Sequence, residues 1–270
     1  MNNVIHATFK QGSKTYFYSS VFFPKEVRQD VFYLYAFVRK ADDFVDQVPQ
    51  QADGFYRFWD SYKKARGGEH TGDVIVDSFV DLMHRKGFDA LWVDAFLTSM
   101  GMDLSKNVYE TIEETCEYMY GSAEVIGLMM AKVLGLHPDS YPYARALGRA
   151  MQYINFIRDI DEDLQLGRTY LPLKDSDLDS LSRSYAVRHE QQFTAYIHDQ
   201  IRLYYTWQAE AEKGFSYIPK RCLIPIKTAS DKYKWTAETI RQNPMLVYRR
   251  KVKPSVFMIL STGLRNAVAL

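Results

Sequence analysis

Apolar side chains recur at three- and four-residue intervals through nearly all of this 270-residue chain. No segment keeps the two-residue alternation of a strand bounded by hairpin turns. The pattern predicts an all-α fold, read as a single domain spanning residues 1–270 with helices bundled around a central cavity. Pro24 to about Gln47 reads as one helix with Val27, Val31, Leu34, Tyr35 and Val38 as its apolar stripe, punctuated by Pro24 and Pro49. Ala52–Arg66, Asp73–Lys86 and Asp89–Met100 read as shorter helices. Tyr109–Leu134 reads as a long one with Gly121 and Gly127 inside it. A mid-helix glycine costs about 1 kcal/mol relative to alanine, so close packing or a bound ligand is expected at both. Tyr141–Asp163 follows, ended by Gly167, then Ser182–Lys213, Lys220–Gln242 and Pro254–Val268.

Two of these helices end in acid. Asp42-Asp43-Phe44-Val45-Asp46 closes the first, and Asp159-Ile160-Asp161-Glu162-Asp163 closes another, with Arg39 and Arg158 just upstream. In a helix Asp42 and Asp46 share a face at i and i+4, as do Asp159 and Asp163, with Cβ atoms roughly 5–6 Å apart. Such like-charge pairs cost helix stability. One reading is a solvated face with local pairs such as Arg39 to Asp43. The preferred reading is a bound cation. Magnesium takes oxygen ligands and is commonly held by one or two carboxylates together with substrate phosphates. Two facing pairs suit two or three Mg²⁺ ions around a diphosphate, with forked arginine contacts from Arg39, Arg158, Arg168, Arg249 and Arg250.

Other chemistries find less support. Neither cluster has the spacing of a calcium loop. The six histidines form no zinc pattern, and no GxGxxG occurs. A net charge of +1 from 34 basic and 33 acidic residues gives no nucleic-acid footprint. Cys116 and Cys222 read as reduced thiols. Met1–His6 lacks the apolar core of a leader, and no apolar run is long enough to cross a bilayer. A cytoplasmic location is therefore expected.

The acidic segments also resemble those of the squalene and phytoene synthase family, the head-to-head trans-prenyl synthases. Tyr35-Ala36-Phe37-Val38-Arg39-Lys40-Ala41 leading into Asp42–Asp46 resembles the first family signature. Gln152 through Asp163 to Gly167-Arg168-Thr169-Tyr170-Leu171-Pro172 is similar to the second. Ser13-Lys14-Thr15-Tyr16 with Phe22-Phe23-Pro24 resembles the N-terminal flap, Tyr118-Met119-Tyr120-Gly121 with Gly127 the mid-chain segment, and Tyr248-Arg249-Arg250 the basic C-terminal element. The resemblance is closest to bacterial and archaeal phytoene synthases. It implies an isoprenoid synthase fold and Mg²⁺-dependent joining of two prenyl diphosphates through a cyclopropylcarbinyl diphosphate. It also implies Asp42, Asp46, Asp159 and Asp163 as metal ligands. Arg39, Arg158, Arg168, Arg249, Arg250, Ser13 and Lys14 would contact diphosphate. Tyr35, Tyr118 and Tyr170 would line the cation site or meet the phosphates, and Gln152 and Asn155 would supply amide groups. One departure is Glu124, which follows Ala123 where many members have glycine.

For the product, C30-forming relatives carry a bulky aromatic four residues before the flap proline, and this chain has Ser20 there. Ser20 leaves room for a further isoprene unit, whereas Phe32, where those relatives hold a second aromatic, stays bulky. Geranylgeranyl diphosphate and phytoene are preferred over farnesyl diphosphate and dehydrosqualene or squalene, and NADPH is not expected. Two other classes compete. A chain-elongating synthase shares the DDxxD motif but not the flap or the Gln152–Arg158 stretch. A non-catalytic assembly factor would be expected to have lost acidic residues, and all four are present. Arg249–Lys253 followed by Pro254–Leu270 reads first as a last helix packed on the core, and second as a basic and apolar element resting against a membrane surface.

Overall fold

The structure is a computed structural model that describes residues 3–270; Met1 and Asn2, part of the segment read for a leader, lie outside the described residues. The chain begins with α1 (Asn3–Gly12) and α2 (Lys14–Ser19), then α3 (Lys25–Asp46), α4 (Ala52–Arg66), α5 (Val74–Lys86) and α6 (Ala90–Met102). It continues with α7 (Ile112–Met119), α8 (Val125–Val133), α9 (Tyr141–Arg158) and α10 (Ile160–Gln165). The last four are α11 (Arg183–Arg188), α12 (Glu190–Lys213), α13 (Lys220–Gln242) and α14 (Val256–Ala269). Among the described residues the only strand-like pairing is a bridge between Val108 and Thr169. No described helix is long and apolar enough to cross a membrane.

Local chemistry sets most of the boundaries. Asp73, Asp89, Thr111, Ser182 and Ser255 each cap a helix by accepting a backbone N–H two or three residues on. Gly87 ends α5 in the left-handed region at φ 63°. Helices α4 and α13 have the bounds expected from the sequence. Two short helices, α1 and α2, were not expected; Ser13 caps the second.

Three expected helices are interrupted. The segment 109–134 starts only at Ile112, because Asn107 and Tyr109 exchange backbone hydrogen bonds with Thr169. It then passes through a π-turn at Tyr120–Glu124. Gly121 explains the irregularity: a Cβ there would stand 2.2 Å from the Ala95 carbonyl of α6. The second acidic segment breaks at Asp159 (φ −101°, ψ 14°), although Asp163 N–H still donates to Asp159 O at 2.8 Å. The segment 182–213 breaks at His189, whose ring stacks on Tyr185.

Helix α9 packs along α12 on one side and α8 on the other, while α3 packs on α1, α4 and α5. The α8–α9 contact is backbone to backbone. A Cβ on Gly127 would meet Ala144 O at 2.2 Å, and one on Gly148 would meet Ala123 O at 2.4 Å. Close packing, the first of the two reasons expected for these glycines, is what the structure shows. Glu124 does not face the apolar interior. Fully buried, it accepts from Arg145 at 2.7 Å and lies 2.5 Å from an Arg149 nitrogen. The π-turn thus sends the acid outward to α9 and leaves Ser122 and Ala123 on the inner wall.

Between α2, α3, α6, α8, α9, α12 and α13 lies a cavity of about 340 Å³ with predominantly apolar walls. Its α9 wall is one helical stripe: Ser140, Tyr143, Ala144, Leu147, Gly148, Met151, Gln152 and Asn155. Its α3 wall runs from Val31 through Leu34, Tyr35, Val38 and Arg39 to Asp42. The acidic ends of both helices therefore stand at the same end of the cavity.

Candidate active site

On α3, Arg39 lies along the face it shares with two aspartates, 2.7 Å from Asp42 and 2.5 Å from Asp43. Asp42 opens onto the cavity yet is enclosed by protein. Burial raises its pKa first, and neighbouring Asp46 raises it further, against the pull of Arg39. The cost expected from the i,i+4 pair is therefore present in the folded molecule.

On the opposite side, Arg158 makes a forked contact to Asp159, with distances of 2.8 and 2.5 Å. Burial alone would raise Asp159, but Arg158 and Lys251 outweigh it and hold the carboxyl below its usual range. Asp163 has no such partner close by; burial, then Asp159, then Asp46 push it well up. Asp46, on the opposite segment, is thus among the charges that raise Asp163.

Arg168 is the physical link between them. Its Nη1 donates to Asp46 Oδ1 at 2.7 Å, and its Nη2 donates to Val45 O at 2.5 Å. Behind it stands Asp103, 3% exposed at the C-terminal end of α6. Asp103 accepts from the Tyr118 and Tyr170 hydroxyls at 2.7 Å each, and its backbone carbonyl accepts from Gln50 at 2.7 Å. Burial raises the Asp103 carboxyl to about 6, with Arg168 and the two phenols pulling the other way. Asp103 escaped the sequence reading. Its only signal was an acid directly after the apolar turn Met100-Gly101-Met102.

The remaining expected residues divide into three groups. Ser20, Tyr35, Tyr118, Gln152 and Asn155 line the cavity. Ser13 caps α2, and Lys14 is exposed at the start of that helix. The Gly12–Ser13 turn lies over the mouth, since a Cβ on Gly12 would stand 2.5 Å from the Tyr35 hydroxyl and 3.0 Å from the Arg39 stem. Phe32 is a correction. It is buried behind the wall, with its ring centroid 4.7 Å from that of Phe9, and it also packs on His6 and Phe17. The i+4 register of α3 carries it off the stripe formed by Val31, Leu34 and Tyr35. Arg249 and Arg250 are exposed. The basic residue that reaches the acidic segment is Lys251, 3.3 Å from Asp159 and bonded to Glu162. The basic run gave that signal, but the expectation placed it on the two arginines.

Two tyrosines extend the aromatic wall. Tyr16 and Tyr233 have ring centroids 5.8 Å apart, and Tyr16 lies 6.4 Å from Tyr35. The Tyr16 hydroxyl points to Met151 Sδ at 3.4 Å. Asn155 Oδ1 is buried at the same end of the cavity without a hydrogen-bond partner among the described residues.

Among the described residues, no three Asp, Glu, His or Cys side chains converge into a closed ion cage. The donor set nonetheless fits a hard divalent cation. All the donors are oxygens, Asp42 and Asp163 are pushed toward protonation by like charge and burial, and Asn155 offers a buried oxygen with no partner. Asp42, Asp46, Asp159 and Asp163 are the groups that would hold it.

Comparison with known proteins agrees along almost the whole length. Residues 9–257 match the squalene/phytoene synthase family model. A 15-cis-phytoene synthase of Paracoccus sp. is 28% identical over 257 residues, covering 91% of this chain and 84% of the relative. A phytoene synthase of Pseudescherichia vulneris is 29% identical over 247 residues, covering 84% and 78%. Among solved structures, a dehydrosqualene synthase superposes with a TM-score of 0.84 at 22% identity, covering 98% of this chain and 94% of that one. A squalene synthase from Alicyclobacillus acidocaldarius superposes at 0.78 with 21% identity, covering 91% and 93%. These two likenesses concern the fold.

Proposed function

Because the chain belongs to the squalene/phytoene synthase family and is a prenyltransferase, we propose that it joins two geranylgeranyl diphosphates head to head, with Mg²⁺, to give phytoene. The observation that carries this reading is an apolar cavity of about 340 Å³ whose α3 and α9 walls reach Asp42 and Asn155, beside the two acidic segments. The Paracoccus and Pseudescherichia relatives are named phytoene synthases, which supports the same reading.

The chain's own residues have definable tasks. Asp42, Asp46, Asp159 and Asp163 would hold the ions, and Arg39, Arg158, Arg168 and Lys251 would bind the diphosphate beside them. Bound Mg²⁺ supplies neutralisation of the departing diphosphate. The C1–O bond of one substrate then breaks, its electron pair leaving with the diphosphate and an allylic cation remaining. The π faces of Tyr16, Tyr35 and Tyr118 favour that cation. The apolar wall keeps out water that would quench it. The C2–C3 π electrons of the second substrate form the new bond to C1, and proton loss closes the cyclopropane. A second C–O ionisation, rearrangement and proton loss complete the hydrocarbon, so no reductant is consumed. Ser20, buried in the cavity wall with its hydroxyl bonded back to Phe17 O, leaves volume for the longer chain.

Purified protein with Mg²⁺ and either the C15 or the C20 diphosphate, with and without NADPH, tests the whole reading by chromatography of the product. Phytoene from the C20 substrate alone is expected, independent of NADPH. A requirement for isopentenyl diphosphate, or no hydrocarbon at all, refutes it. The location of the enzyme relative to membranes is left to the same preparation: it is expected in the aqueous fraction, with α14 packed on α13 and α2.

A further inference from the structure

The cavity has a direction and a far end. Helices α8 and α9 run antiparallel along it. Asn155, Gln152 and Tyr118 mark the acidic end, while Leu134, Ser140 and Tyr143 mark the other. The twelve residues from Asn155 back to Tyr143 rise about 18 Å at 1.5 Å per residue. An extended prenyl chain advances roughly 1.25 Å per carbon–carbon bond, which gives about 14 Å for C15, 19 Å for C20 and 24 Å for C25. A C20 chain whose C1 lies level with Asn155, one helical turn inside Asp159, thus ends at Tyr143, and a C25 chain overruns it.

Tyr143 is also held where a stop has to be held. Its ring lies nearly parallel to that of Tyr217, with centroids 5.8 Å apart and planes at 27°. Its Cβ is seated against Gly214, at the C-terminal end of α12, where an added Cβ would stand 2.3 Å away. Only a glycine lets α12 approach this closely. Gly214 on one side and the Tyr217 ring on the other fix the side chain. Gly214 and Tyr143 both line the cavity.

We propose that Tyr143, seated on Gly214 and Tyr217, is the chain-length stop of this enzyme and limits its prenyl substrates to C20. The proposal rests on the head-to-head reading for its substrate class, but the stop acts on binding and is measured without turnover.

The experiment is a series of dissociation constants for C10, C15, C20 and C25 prenyl thiolodiphosphates, with Mg²⁺, on the full chain. For the wild type, affinity is expected to rise to C20 and to gain nothing at C25. Tyr143→Ala is expected to bind the C25 analogue at least about tenfold more tightly than the wild type, the scale of admitting further carbons to an apolar pocket. Tyr143→Phe keeps the ring and should retain the C20 limit. Circular dichroism accompanies each variant. A Tyr143→Ala protein that folds and keeps the wild-type limit overturns the proposal, as does a wild type that binds C25 more tightly than C20. Hydrocarbon formation from the C20 diphosphate, run on the same preparations, reports separately on the head-to-head reading.

Discussion

Replacing Asp103 by asparagine tests whether the link between the two acidic segments is held under electrostatic strain. The carboxyl is 3% exposed and titrates at about 6 in place of its ordinary 3.8. That displacement corresponds to about 3 kcal/mol of preference for the neutral form in the folded state. The sign follows from linkage. The folded protein keeps this proton longer than the unfolded chain does. The associated stability is therefore fully present below about pH 4 and is lost as the pH rises through about 6. Asparagine is permanently neutral and escapes that loss. It retains one acceptor oxygen where the carboxylate has two, so one of the phenols at 2.7 Å loses its partner, at about 1–2 kcal/mol. At pH 4.5, Asp103→Asn should be less stable than the wild type by at most that amount. Between pH 4.5 and pH 7.5 the difference should move in favour of the variant by about 2 kcal/mol. Urea unfolding of both proteins across this range gives the difference directly, since all other titrating groups cancel. Activity should fall by about tenfold to a hundredfold, as for other residues that orient an ion site from behind. A stability difference independent of pH would refute the picture of a strained buried anion.

Asp46→Asn and Asp159→Asn should each abolish Mg²⁺-dependent diphosphate release with circular dichroism unchanged; undiminished release in both would sink the assignment of ligands. Gly127→Ala must relieve a 2.2 Å approach to the Ala144 carbonyl. Overpacking of about 1–3 kcal/mol against roughly 1 kcal/mol of helix propensity should lower the melting temperature by a few degrees, and an unchanged melt would count against the close α8–α9 contact. Glu124→Gln removes the buried partner of two part-exposed arginines, Arg145 and Arg149, and should cost about 1–3 kcal/mol in urea unfolding. Because burial and Asp46 raise Asp42, protons compete with the cation for it. The Mg²⁺ concentration giving half-maximal activity should therefore fall as pH rises from about 6.5 to 8.5, and a flat profile would exclude Asp42 from the ion site.

Much of this architecture was legible in the sequence because helix periodicity is local. The bounds of α4 and α13 follow from patterning and punctuation alone, and the i,i+4 acid pairs follow from 3.6-residue geometry. What escaped depends on contacts between distant segments. The π-turn at Tyr120–Glu124 exists because α6 presses on Gly121, and nothing within residues 109–134 specifies where α6 will lie. Phe32 and Tyr35 both read as apolar members of α3, yet the packing of α1 decides that only Tyr35 meets the cavity. Asp103 and Lys251 are ordinary surface residue types in sequence. Each reaches the site only because the chain folds back on itself, Asp103 through Arg168, Tyr118 and Tyr170, and Lys251 through Asp159.

The arginines and carboxylates at the mouth explain one another once both ligand types are considered together. Arg39 pairs with both Asp42 and Asp43, Arg158 with Asp159, and Arg168 with Asp46. These pairs let a site with surplus acid stay folded, although Asp42 and Asp163 remain raised in pKa. A diphosphate arriving with its cations offers both sets better partners. The phosphate oxygens accept the forked guanidinium donors, and the cations take the carboxylates that those arginines release. The exchange conserves charge within the mouth, so binding does not strand a buried ion of either sign, which would cost several kcal/mol. It also ties the two ligands together, because a cation without diphosphate must displace the arginines, and a diphosphate without cation must strip the aspartates. Diphosphate affinity should therefore rise with Mg²⁺, and Mg²⁺ affinity with diphosphate, by the same factor. Titration calorimetry with inorganic diphosphate and Mg²⁺ in both orders measures that factor, and independent binding of the two would rule out the exchange.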